Sequence, residues 1–251
     1  DRYDTVYLSG CHKNEVRMKK YINIYSVAAI MLMCMWITYS MKNRDMTGLC
    51  QLDAMLLVMQ PVCYGKLVIP AVWAYMYATR NDFAVARIIR MKDRRVIWRS
   101  ECGCIIIYAA LCTLLIIATA WISGGVLFRN GGIINGTWYG TGILTVIIKA
   151  YALCYSQLLG SMLFTALARW ICNTYIFPLI VVAAVAISDG NILNVPIYFL
   201  RFRYNMPMWL SDNMGAVQII AKLLLIAAVI AVMGYLYAGR KEFISAENNI
   251  Q

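Results

Sequence analysis

Cys102-Gly-Cys-Ile-Ile-Ile-Tyr-Ala-Ala-Leu-Cys-Thr-Leu-Leu-Ile-Ile-Ala-Thr-Ala-Trp-Ile-Ser-Gly-Gly-Val-Leu-Phe128 runs from end to end without a charge. Lipid offers no partner to a free backbone N–H or C=O, so a stretch this apolar is stable there only as a helix, and about 20 residues suffice to cross. It is far longer than the alternating segments of about ten residues that build a membrane barrel. The same reading repeats outward along the chain. Tyr21–Met41 is uncharged, and Ala54–Thr79 contains Lys66 between Pro61 and Pro70. Thr141–Ala168 carries Lys149, Trp170–Ser188 contains Pro178, and Gly215–Ala238 carries Lys222. The expectation is an all-α integral membrane fold of six transmembrane helices, forming one domain over residues 1–251. Tyr21–Met41 reads as a retained anchor, being too long for a signal peptide and lacking a small-x-small site at Thr38-Tyr39-Ser40.

Composition agrees. Of 251 residues 62% are hydrophobic and 14% charged, with a mean hydropathy of +0.65. A soluble domain carries about 25% charged residues, so polar groups are too few here to coat a globule in water. The net charge of +11 does not mark a nucleic-acid binder, because the basic residues are not spread over a polar surface. Their placement instead orients the chain. With the N-terminus inside, Lys and Arg favour the inner segments three to one. The outer segments hold only Lys42, Arg44, Arg129, Arg201 and Arg203. Residues 1–20 and 239–251 are then cytoplasmic, and Trp36, Tyr39, Trp121 and Trp138 fall at the outer interface, where aromatic side chains are favoured.

Two connectors are more than links. Residues 80–101 open with Asn81 and Asp82, both able to cap a helix whose first turn favours a carboxylate. Phe83, Ala86 and Arg87 share one face at helical spacing, and Val85, Ile88 and Ile89 another. A dense charge cluster, Arg90 to Arg95, follows. The segment reads either as a short helix docking into a cytoplasmic partner or as a basic loop on anionic lipid. Residues 189–214 are as long as a span but contain Arg201, Arg203, Pro196 and Pro207. They are expected in the outer interfacial layer with Phe199, Phe202, Tyr204 and Trp209 immersed, as an outer gate or a plain cover.

A lysine at mid-helix costs about 2.5–3.5 kcal/mol on insertion scales, so Lys66, Lys149 and Lys222 are candidates for a substrate path. Lys149 and Lys222 lie near enough to the outer boundary to snorkel, whereas Lys66, deeper by count, favours an inward face. No acidic residue falls firmly inside any of the six runs, which disfavours a proton-coupled pump and an intramembrane enzyme. Most of the nine cysteines lie in apolar runs, so no disulfide framework is implied. Cys102-Gly-Cys104 lacks further ligands at zinc spacing and the one histidine is His12, so no metal or catalytic site is expected. There is no G-x-x-x-x-G-K-[ST] loop for phosphate, and Ile122-Ser-Gly-Gly-Val126 reads as ordinary membrane-helix glycine.

The ordered combination resembles the permease subunits of ABC-2 type exporters. It comprises a basic N-terminal segment, six spans, an amphipathic inner connector from Asp82 to Trp98, an interfacial segment between the last two spans, and the ending Tyr237-Ala-Gly-Arg-Lys-Glu-Phe243. The resemblance implies a bacterial cytoplasmic-membrane location and a dimer of permease copies, identical or not. It implies separate ABC ATPase subunits that bind ATP and Mg2+, with no cofactor in this chain. It also implies that Asp82, Phe83, Ala86, Arg87, Ile88 and Arg90 of the coupling helix touch the ATPase. By size and character the chain is similar to small exporters of amphipathic or antimicrobial peptides. The alternatives are a non-transporting membrane immunity or scaffold protein and an intramembrane enzyme.

Overall fold

The computed structural model describes residues 25, 27–40, 42, 50–58, 61–79, 94–129, 132–133, 142–172, 174, 176–191 and 213–240. Among them the regular structure is helical, with no strand. A short apolar helix, α1, covers Val27–Ser40. It is followed by α2 (Gln51–Val58), α3 (Pro61–Ala78), α4 (Arg94–Leu127), α5 (Ile143–Cys172), α6 (Ile176–Asn191) and α7 (Asn213–Arg240). Three of these, α4, α5 and α7, are long and apolar enough to cross a membrane.

Several boundaries differ from the sequence expectation, each for a local reason. The α4 helix begins at Arg94 rather than at residue 102; its 34 residues measure about 51 Å at the helical rise, well beyond a hydrocarbon layer of about 30 Å. Within the expected run 54–79 the described helices are α2, to Val58, and α3, from Pro61, with residues 59–60 outside the described residues. Pro61 opens α3, a position where its missing N–H has no partner to lose. The runs 141–168 and 170–188 were separated by Arg169 alone, and a chain cannot reverse within one residue. Instead α5 continues through Arg169 to Cys172, and α6 starts at Ile176, with Pro178 in its first turn. At the other end of α6 the helix runs on to Asn191, and α7 begins at Asn213. Residues 80–93 and 192–212 lie outside the described residues. They hold the coupling-helix candidates Asp82, Phe83, Ala86, Arg87, Ile88 and Arg90 and the outer-gate candidates Phe199, Phe202, Tyr204 and Trp209.

The bundle is built around α5, which packs on α3, α4, α6 and α7. Half of its most apolar window is buried, against 39% for α4 and 22% for α7, so α5 is the axial helix and α7 a peripheral one. Between apolar helices the contact rests on close fit rather than on expulsion of water. The buried face of α5 is accordingly rich in small residues: Ala150, Ser156, Gly160, Ser161, Thr165 and Ala166. The far side of α7 leaves Leu225, Val229, Val232, Met233 and Leu236 exposed, a surface suited to lipid.

The start of α2 is pinned in two ways. Cys50 and Asp53 form a reciprocal cap: the Cys50 N–H and thiol both donate to Asp53 Oδ2 at 3.1 Å, and the Asp53 N–H reaches back to Cys50 Sγ at 3.5 Å. This is the capping-box arrangement with a thiol in the place of a hydroxyl. The Gln51 N–H also donates to Gly132 O at 3.0 Å, and Leu52 N–H to Ile133 O at 3.4 Å. Gly132 has φ of 69°, a left-handed conformation that glycine adopts without a side-chain penalty. Gln51 Nε2 donates to Trp121 O at 2.9 Å. Gly124 and Gly125 give α2 this close approach, since a Cβ at Gly124 would lie 2.9 Å from Ala54 Cβ. The glycine pair is a packing device.

Candidate functional site

At the arginine-bearing end of the bundle, three helices converge on one buried ion pair. Glu101 of α4 and Arg169 of α5 have side chains only 2% exposed. Arg169 Nη2 donates to Glu101 Oε1 at 2.5 Å, and the Tyr75 hydroxyl of α3 donates to the same oxygen at 2.6 Å. Trp170 Nε1 donates to Glu101 Oε2 at 2.7 Å. Arg169 Nη1 reaches Thr79 Oγ1 at 2.7 Å, and that hydroxyl donates to Tyr75 O at 3.0 Å. Taking a carboxylate and a guanidinium out of water is costly, and only good geometry with further hydrogen bonds offsets it. Three donors converge on Glu101. The carboxylate is held between α3, α4 and α5.

A second layer ties α7 to the same knot. The Trp98 indole stands edge-on to Trp170, with ring centroids 5.8 Å apart at 89°. Its Nε1 donates to Ala231 O at 2.8 Å, and its six-membered ring lies against Gly234, where a side chain would collide with it. Beside it, Arg95 and Arg99 sit over the Tyr235 ring at 5.3 and 5.4 Å, and Arg99 Nη2 donates to the Tyr235 hydroxyl at 3.3 Å. Arginine over an aromatic face is a favourable cation–π arrangement.

The cluster brackets the segment expected to dock a partner. Tyr75 and Thr79 precede residues 80–93, and Arg94 to Glu101 follow them. Both flanks therefore enter one hydrogen-bonded knot, anchored on the axial helix α5.

Glu101 and Arg169 were not singled out from the sequence, which placed Glu101 at the end of an inner loop and Arg169 in a connector. The one-residue gap at Arg169 was the available signal that the helix had to continue. The three expected path lysines lie on different helices and in different settings. Lys66 of α3 is half-buried, with Nζ 5.7 Å from the Trp36 ring centroid. Lys149 of α5 is buried at 8% exposure, and Lys222 of α7 is exposed. Cys102 and Cys104 are half-buried on α4, and no group of three or more metal-ligating side chains gathers among the described residues.

Toward the other end, two apolar grooves flank α4. One, of about 530 Å³, is lined by Met55, Leu114, Trp121, Ile147 and Tyr151 among others. The second, of about 450 Å³, lies between α1 and α4 and is lined by Met31, Met35, Trp36, Tyr39, Thr119 and Ser123 among others.

These features define a membrane protein that is helical over its described residues, with a buried polar knot at one end. No protein-family model, curated protein or solved structure matches the chain.

Proposed function

We propose that the chain is the transmembrane subunit of an ABC-2 type exporter in a bacterial cytoplasmic membrane. In this reading it has six spans with both termini cytoplasmic, works as a dimer of permeases, and carries an amphipathic or antimicrobial peptide outward. Energy comes from ATP hydrolysed with Mg2+ by separate ATPase subunits, and the chain itself is not an enzyme. Asp82, Phe83, Ala86, Arg87, Ile88 and Arg90 dock on the ATPase. Lys66, Lys149 and Lys222 are the path candidates, and Phe199, Phe202, Tyr204 and Trp209 the outer-gate candidates.

The observation that carries the reading is the Glu101–Arg169 knot. A cytoplasmic segment that transmits force has to be joined stiffly to the helices it moves. Here the helix before it, the helix after it and the axial α5 share one buried network, so a push on residues 80–93 displaces three helices together, as a rigid-body switch requires.

The test is purification from native membranes in mild detergent. An ATP-hydrolysing subunit is expected to co-purify with the chain and to be lost from Arg87→Glu/Ile88→Asp, which still reaches the membrane. Transport by the isolated chain without such a subunit, or protease mapping that puts residues 80–93 outside the cell, overturns the proposal.

A further inference from the structure

Lys66 and the groove between α1 and α4 meet at Trp36, and together they describe a ligand. The ammonium of Lys66 lies 5.7 Å from the Trp36 ring centroid, and among the described residues no carboxylate pairs with it. The Trp36 side chain is itself 57% exposed and lines the groove. Tryptophan favours the level where hydrocarbon meets headgroups, and a long lysine reaches for the same level. This pair therefore marks headgroup depth on the face of the bundle.

The groove runs along Met31 to Tyr39 of α1 and Thr119 to Leu127 of α4, with Trp36 three residues from its Tyr39 end. On either helix this is nine residues, whose eight steps measure about 12 Å at the helical rise, close to the depth of one leaflet's hydrocarbon, half of about 30 Å. Its volume of about 450 Å³ lies in the range of built small-molecule sites. The two walls are fixed to one another. Thr38 Oγ1 and Ser123 Oγ lie 3.1 Å apart in a buried hydrogen bond that either can donate, and whichever hydroxyl accepts across the gap donates to its own helix, Thr38 at Cys34 O or Ser123 at Ala120 O. An apolar slot close to one leaflet in length, with a cation beside Trp36 three residues from its Tyr39 end, is complementary to a lipid that carries negative charge above an acyl chain.

We propose that the α1–α4 groove binds an anionic phospholipid of the surrounding bilayer, its acyl chain in the slot and its phosphate on the Lys66 ammonium beside Trp36. This rests on the chain being a membrane protein and not on the transport reading.

The experiment uses the full chain reconstituted in phosphatidylcholine vesicles containing phosphatidylglycerol, with bromine-labelled acyl chains on one lipid or the other. Bromine quenches tryptophan on contact, and the difference in emission between the wild type and Trp36→Phe isolates Trp36. Labelled phosphatidylglycerol is expected to quench Trp36 with about tenfold preference over labelled phosphatidylcholine, the scale of one charge-assisted contact. Lys66→Met brings that preference to about one. Val126→Phe, which fills the slot and leaves Lys66 in place, lowers quenching by both lipids. Equal quenching by the two lipids in the wild type, a preference that survives Lys66→Met, or quenching by neither (as when a second copy of the chain occupies the slot) overturns the proposal.

Discussion

Replacing Arg169 by methionine tests the polar knot directly. The substitution preserves much of the side-chain bulk but removes the guanidinium from Glu101 and from Thr79. Two donors remain on the carboxylate, Tyr75 and Trp170, and its charge is left without a counter-charge at 2% exposure. Breaking a buried pair from one side costs about 3–5 kcal/mol, chiefly the penalty of the stranded charge rather than the worth of the pair. In a chain of this size each kcal/mol moves the melting midpoint by roughly 2–4 °C. The midpoint of Arg169→Met should therefore fall by roughly 6–20 °C in detergent, compared with wild type at one scan rate. Glu101→Gln in the same background removes the stranded charge while leaving an acceptor for Tyr75 and Trp170. The double variant should recover at least half of the loss. A midpoint for Arg169→Met within about 2 °C of wild type, or a double variant worse than the single one, refutes the assignment of Glu101 and Arg169 as a buried, mutually dependent pair.

Gly234→Leu sets a side chain against the Trp98 ring and should break the Trp98–Ala231 hydrogen bond. Overpacking of this kind costs typically 1–3 kcal/mol, read as a lower melting midpoint with a red-shifted tryptophan emission; an unshifted emission would count against the contact. At the other end, Asp53→Ala should cost about 0.5–2 kcal/mol as a lost helix cap. Cys50→Ser, which keeps a donor at the same place, should stay near wild type in the same thermal scan, and a larger loss from Cys50→Ser than from Asp53→Ala would show that the cap has been misread.

The fold class was legible because lipid makes a severe demand. Uncharged runs such as Cys102–Phe128 have one stable form there, and α4, α5 and α7 formed on the expected stretches. Helix ends were less legible, since hydropathy reports the apolar part of a helix and not where its backbone bonds stop. Arg94–Glu101 and Arg169–Cys172 are helical because packing against neighbours continues past the apolar run. In the stretch 54–79, whose hydropathy suggested one span, the described helices are α2 to Val58 and α3 from Pro61. The knot itself was invisible for a different reason. Glu101 meets Tyr75 across 26 residues and Arg169 across 68, and no local pattern records such a pairing. Lys66 was assigned by its count along an unbroken helix, and that count does not locate an ammonium that rests against Trp36 on a different helix.

The long separation between Glu101 and Arg169 also bears on biosynthesis. A ribosome adding about 5–20 residues per second needs roughly 3–14 s to cover the 68 residues between them. During that interval the acid has been made and its base has not. Until α5 emerges Glu101 lacks its counter-charge, and a carboxylate without that partner is costly to take out of water. Nascent chains arrested between Phe128 and Arg169 would then be the ones that quality-control proteases find first.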